Sequence, residues 1–306
     1  MRIVFFGTPE FAVPSLEVLH GEHDIALVVA QPDKPSGRGM RMHAPPVAEK
    51  ARLLRRSLDQ PERIRRPEFL ERVADVRPEV GIVVAYGKVL PASLLAIPTH
   101  GFLNVHASVL PKYRGAAPIQ RAIEAGETTT GVSIMGVDEE LDHGPVYDFA
   151  TVDISPHEHT PSLARRLSTT GADLLAQVLR AIESGSARAT PQDDSAATYA
   201  PKIEKREGRV EWDASAKRIY DRFRAFDPWP GVFIDAAGGA IRITSMTVAS
   251  ERALPGLIVS LSDLGIVVGT GEGAVRLLEL QRPGKRSAKA VEVAHSQGWG
   301  VGDRLP

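Results

Sequence analysis

The chain has 306 residues, of which 43% are hydrophobic and 25% charged, with a formal net charge of −1. That composition is globular, and the length suits two domains better than one. Cysteine is absent, which excludes disulfides, thiolate zinc sites and cysteine nucleophiles. The opening MRIVFFGTPEF has no signal-peptide cleavage pattern, and no apolar run approaches a membrane span, so the expected setting is cytoplasmic.

Met1 to Phe6 reads as a buried strand. After Gly7, Thr8 is placed to cap a helix with Pro9 at its first position, running on through Phe11 to Leu19. Ile25 to Ala30 and Val80 to Ala85 read as further strands separated by a charged helical stretch. Strands alternating with helices predict an α/β fold with a parallel, doubly wound sheet. The first turn, GTPEF, lacks the G-x-G-x-x-G fingerprint, which argues against a dinucleotide site. Phe102 to His106 is a short strand. Thr160 to Gly185 is the clearest helix, with Thr160 as cap, Pro161 in the first turn and Gly185 at the end.

Beyond it, SARATPQDDSAATYAPKIEKREG is polar and aperiodic and reads as an interdomain linker. The expected boundaries are a first domain over 1–187, a linker over 188–206 and a second domain over 207–306. In the last of these, an amphipathic helix (Lys217 to Phe226) precedes short strands punctuated by AGG and TGEG turns. Such spacing predicts a small closed or partly open barrel.

The richest segment is HGFLNVHASVLPKYRGAAPIQ, residues 100–120. Asn104 and His106 are two apart on a strand and so share a side. A strand end followed by a proline-bearing loop lies where open α/β sheets bind ligands. Asn104 offers an N–H donor for a developing oxyanion, and His106 exchanges protons near neutral pH. A third group is needed to fix the imidazole or shuttle protons. Asp142, in what reads as an irregular, exposed turn EELDHGPV, is the candidate. Each of the three, taken singly, reads more readily as a structural or turn residue, and only together do they balance that reading.

NVHASVLPKYRGAAPIQ, then TGVSIM, then ELDHGPV resembles the 10-formyltetrahydrofolate-dependent formyltransferases, whose reactive Asn, His and Asp map onto Asn104, His106 and Asp142. FFGTPEFAVPSL, QPDKPSGRGMR, VVAYGKVLP, FDPWPG and LQRPGKR extend the likeness along nearly the whole chain. They are similar to the branch of the family that formylates methionyl initiator tRNA. Ala107 and His143 stand where glycine and threonine are common in the family. The resemblance implies a Rossmann-like formyltransferase domain with a parallel-rich sheet and a smaller C-terminal OB-like β-barrel domain. It implies 10-formyltetrahydrofolate as co-substrate, with no metal. The pterin would lie against backbone around Lys88, Val89 and Leu90, with the loop from Val137 to Asp142 opposite and Ser108, Val109, Leu110 and Pro111 adjoining.

The reaction so implied is direct attack of an amine on the formyl carbon, giving a tetrahedral centre with negative charge on oxygen. Asn104 would stabilise that oxygen. His106 would supply a second donor or take the amine proton, and Asp142 would orient His106, raise its basicity or relay a proton through water. For tRNA, Lys34, Arg38 and Arg41 sit in a Pro/Gly loop, Lys202, Lys205 and Arg206 in the expected linker, and Lys285 and Arg286 in the expected barrel. Residues 201–306 hold 16 Lys and Arg against 13 Asp and Glu, whereas residues 1–200 hold 21 against 25, which favours the C-terminal part for phosphate contact. A monomer is expected. Amino sugar nucleotides, glycinamide ribonucleotide and a non-catalytic folate- or RNA-binding module remain the alternatives.

Overall fold

The computed structural model describes residues 1–36 and 41–306. The chain divides into two compact units, one of residues 1–118, 129–153 and 163–200, the other of 119–128, 154–162 and 201–306.

Unit one is built on seven strands: β1 (Arg2–Gly7), β2 (Asp24–Val29), β5 (Leu58–Asp59), β6 (Val80–Val84), β7 (Phe102–His106), β8 (Thr129–Gly136) and β9 (Val146–Asp153). A two-stranded ribbon of β3 (Lys34–Ser36) and β4 (Arg41–His43) stands apart from it. The sheet order is β5-β2-β1-β6-β7-β8-β9. The pairs from β5 to β7 are parallel, and β7–β8 and β8–β9 are antiparallel. The parallel part is therefore as expected, with an antiparallel edge added.

From β1 the chain adds strands outward through β2 to β5, then returns to lay β6 on the other flank of β1. This reversal opens a crevice at the carboxyl ends of β1 and β6, where open α/β sheets take ligands. Residues 3–7 of β1 are all buried. Phe6 meets Phe69, Tyr86 and Phe102 edge-on, with centroids 6.3, 5.2 and 5.5 Å apart. These rings form the apolar floor beneath the crevice.

Two helix starts depart from expectation. Pro9, not Thr8, takes the cap position, and it opens a single 3-10 turn, Glu10–Ala12. The α-helix proper, α1 (Val13–Glu22), begins only where Pro14 can occupy its first turn without removing a helical hydrogen bond. The Thr8 hydroxyl instead donates to the Tyr86 carbonyl at 3.1 Å, tying the loop after β1 to the loop after β6. Thr160 is the first residue of its helix (Thr160–Glu183), and its hydroxyl donates to the Ala225 carbonyl at 2.7 Å. Gly185 ends that helix at φ +70° as expected.

Unit two carries an antiparallel sheet of β10 (Val232–Ala236), β11 (Gly239–Ala249), β12 (Ile258–Ser262), β13 (Gly265–Gly269) and β14 (Ala274–Gln281) in the order β10-β11-β14-β13-β12. A short β15 (Ser287–Lys289) pairs with β14. Register shifts in β11 near Ser245 and in β12 near Ser260 bend these strands. β13, between β14 and β12, is buried along its whole length. A helix over Ala216–Ala225 is capped by the Ser215 hydroxyl, which accepts from the Arg218 N–H. Among the described residues, no helix is long and apolar enough to cross a membrane.

Candidate active site

Asn104 and His106 lie on one face at the carboxyl end of β7. His106 is 5% exposed, whereas Asn104 is half-buried and its carboxamide makes no hydrogen bond among the described residues. A free amide on an otherwise saturated strand end is available to a ligand.

The imidazole is held from two sides. Its Nε2 lies 3.0 Å from the Tyr113 carbonyl oxygen. A carbonyl can only accept, so Nε2 carries the proton, and in the neutral ring Nδ1 bears the lone pair. Nδ1 faces Asp142 Oδ2 at 3.7 Å, beyond hydrogen-bond length but close enough for a carboxylate to stabilise an imidazolium. The tautomer is thus set by the Tyr113 carbonyl, which leaves Asp142 the other task the sequence offered it, that of shuttling protons.

Asp142 is also less open than an exposed turn would make it, since its side chain is only 17% exposed. The residue sits at φ +50°, a conformation Asp tolerates better than most residues. Its Oδ2 accepts from the Gly115 N–H at 2.8 Å. Gly144, two residues on, lies so close to β8 that a Cβ there would stand 1.9 Å from the Gly136 carbonyl oxygen. A glycine is required there for the loop to turn back against β8.

Sequence reasoning missed the structure behind this pair. Arg114, 4% exposed, sends Nε and Nη2 to Gln192 Oε1 at 3.0 and 2.8 Å and Nη2 to Asp194 Oδ1 at 2.8 Å. Gln192 Nε2 donates to the carbonyls of Asp142 and Gly144 at 2.9 and 2.8 Å. Further along the same segment, Thr198 receives the Tyr113 N–H on its hydroxyl and the Arg114 N–H on its carbonyl. Residues 192–200 therefore form a strap along unit one. The one available signal was RGAAPIQ, a conspicuous arginine with no evident partner.

The segments expected around the pterin occupy the neighbouring crevice. Tyr86, Leu90 and Phe102 belong to one buried apolar cluster, and Val137 packs against it. Val89 is 70% exposed, and neither its backbone nor that of Leu90 makes a hydrogen bond among the described residues. The Lys88 ammonium is committed to the carbonyls of Pro61 and Glu62 at 3.1 and 2.9 Å. Burial, and then the charge of Lys34, hold its pKa below the usual lysine value. Ser108 is fully buried, its hydroxyl donating to the Lys112 carbonyl at 2.6 Å while its own carbonyl accepts from Ser133 Oγ at 2.8 Å. Ser133 Oγ in turn accepts the Leu110 N–H at 3.0 Å, and Val109 and Pro111 are half-buried on the same turn. Ser108 and Leu110 thus shape that turn internally.

Of the basic residues, Lys34 is exposed on β3, Arg41 lies in β4 opposite Ser36, and Arg38 lies outside the described residues. Lys202, Lys205, Arg206, Lys285 and Arg286 are all exposed on unit two. Arg206 also pairs with Glu204 at 2.7 Å.

A parallel-rich sheet with Asn, His and Asp gathered beside its crevice defines a class. The family described as Formyl transferase matches residues 1–179, and the one described as Formyl transferase, C-terminal domain, matches residues 202–298. The methionyl-tRNA formyltransferase of Thermus thermophilus is 45% identical over 305 residues, covering 100% of this chain and 99% of that protein. That of Sorangium cellulosum is 42% identical over 297 residues, covering 96% of each. The chain belongs to the methionyl-tRNA formyltransferase family. Solved structures share the fold at low identity. An N-formyltransferase of Helicobacter canadensis superposes with a TM-score of 0.71 at 15% identity, covering 90% of this chain and 98% of that one. HypX of Aquifex aeolicus, in complex with tetrahydrofolic acid, gives 0.65 at 21% identity, covering 98% of this chain. The present chain spans about half, 48%, of the HypX chain.

Proposed function

We propose that this protein transfers the formyl group of 10-formyltetrahydrofolate to the amino group of methionyl initiator tRNA, acting as a cytoplasmic monomer. The observation that carries the reading is the pairing of a free Asn104 amide with an imidazole whose Nε2 is occupied and whose Nδ1 faces a carboxylate. The exposed Val89 beside unpaired backbone, over the cluster shared by Leu90 and Val137, suits a flat heterocycle with polar edges. When bound there, the folate supplies an activated formamide carbon.

The chain's own groups then have distinct tasks. The Asn104 amide donates to the formyl oxygen as that oxygen gains negative charge, an interaction stronger in the transition state than in the ground state. His106 Nδ1 takes the proton of the attacking amine. Asp142 stabilises the resulting cation across the 3.7 Å gap, while the Tyr113 carbonyl keeps the ring from rotating. Collapse of the tetrahedral centre then restores the formyl C=O and breaks the bond to the folate N10, which leaves with the proton that His106 took from the amine. Lys34 and Arg41 on the ribbon, Arg38 between them in sequence, and Lys202, Lys205, Arg206, Lys285 and Arg286 on unit two supply phosphate contacts.

The test is a single-turnover assay with charged initiator tRNA and saturating folate donor. Asn104→Ala, His106→Ala and Asp142→Asn should each slow transfer by roughly 10²–10³-fold with unchanged circular dichroism. A variant that turns over at the wild-type rate removes its residue from the scheme. Elongator methionyl-tRNA should be a much poorer acceptor, and equal use of both tRNAs would contradict the stated substrate.

A further inference from the structure

Gln192 lies in a polar segment with no apolar pattern, yet its amide uses its full hydrogen-bonding capacity on one task. Both N–H groups go to carbonyls of the Asp142 loop, at Asp142 and Gly144, and both lone pairs of Oε1 are taken by Arg114. Arg114 is flanked by the two backbone groups that hold the reacting side chains, the Tyr113 carbonyl on His106 and the Gly115 N–H on the Asp142 carboxylate. A single amide thus locks the loop bearing the carboxylate to the loop bearing the imidazole's anchor.

We propose that Gln192 is a positioning residue for formyl transfer: it fixes the Asp142 carboxylate opposite His106 Nδ1 by bracing the Asp142 and Gly144 carbonyls against Arg114. The inference rests on the catalytic roles proposed above for His106 and Asp142. The other polar side chains of the 138–144 loop are engaged differently. Asp138 caps the turn internally through the Glu140 N–H, and His143 reaches Asp138 and Asp194 from the loop's outer side. Among the described residues, Gln192 is the side chain that bonds the backbone of Asp142 itself. Its loss leaves the backbone of Asp142 without that brace and its carboxylate held by the Gly115 N–H, and an ångström of drift between reacting groups is costly.

The experiment is a double-mutant cycle in the full chain, read by single-turnover transfer to methionyl initiator tRNA at saturating folate. Gln192→Ala should slow the chemical step by roughly 10–100-fold, leaving KM for both substrates within about twofold of wild type. In the Asp142→Asn background the same substitution should cost less than about twofold, because the group it positions is already gone. Gln192→Glu keeps an acceptor for Arg114 but cannot donate to either carbonyl, so it should be as slow as Gln192→Ala. It also preserves the test if the alanine variant folds poorly. Equal losses in both backgrounds, a loss confined to KM, or wild-type turnover in the glutamate variant each overturn the inference. If Asp142→Asn is itself fully active, the roles assigned to the trio fail, and that outcome is distinct from a slow Asp142→Asn with an indifferent Gln192.

Discussion

At the scale of single residues, the site depends on positions where almost no other side chain fits. A methyl at Gly144 would meet the Gly136 carbonyl oxygen at 1.9 Å, and one at Gly115, whose φ is +122°, would meet the Ala200 carbonyl oxygen at 2.7 Å. Both obstacles are backbone and cannot rotate away. Gly144→Ala should therefore lower stability by about 1–3 kcal/mol, the usual range for overpacking, and displace the Asp142 loop. Urea denaturation alongside formylation rates checks this, and an alanine variant with wild-type midpoint and rate would mean that the loop moves freely. Asn104 and His106 were singled out as two polar residues on one side of a short strand, and the family resemblance of NVHASVLP gave them their roles. Asp142 was found by its loop, but its environment was not: the groups that bury it come from residues 115 and 192, and no local pattern announces them.

At the scale of elements, the parallel strands were readable from runs such as IVFF and GIVV, which only a doubly covered sheet can bury. The antiparallel pair β8 and β9 was not. In β9 only Val152 is buried, so no run of apolar residues marks it in the sequence. The polar stretch after the long helix gave no period because its work is done by backbone groups and one amide, with scarcely any apolar burial. The same segment meets His143 through Asp194. The hydrogen bond to Asp138 at 2.9 Å raises the pKa of His143, with lesser contributions from Glu140 and from Asp194 at 3.5 Å. The folded chain holds this proton more tightly than the unfolded one. The stabilisation is thus complete below the pKa of a free imidazole and is lost as pH rises through the folded value. His143→Ala should lower the urea midpoint at about pH 6 and leave it unchanged at about pH 9, where both chains are neutral at this position. A midpoint difference that persists at the higher pH would assign the effect to packing instead of charge.

For the molecule as a whole, a net charge of −1 conceals exposed basic groups, among them Lys202, Lys205, Arg206, Lys285 and Arg286 on unit two. These should together make tRNA affinity fall steeply with salt. Replacing Lys202, Lys205, Lys285 and Arg286 by glutamine should flatten the log–log dependence by up to about 0.9 for each phosphate no longer neutralised, with little change in the rate once tRNA saturates. An unchanged slope would place the phosphates elsewhere.

The strap also gives the site an order of arrival. Gln192 lies 50 residues downstream of Asp142, so a chain leaving the ribosome carries its amide, imidazole and carboxylate well before it carries the piece that braces them. Folding proceeds from the amino end during synthesis. The enzyme should thus become competent late, in one step, when residues 192–200 dock along a sheet that has already formed.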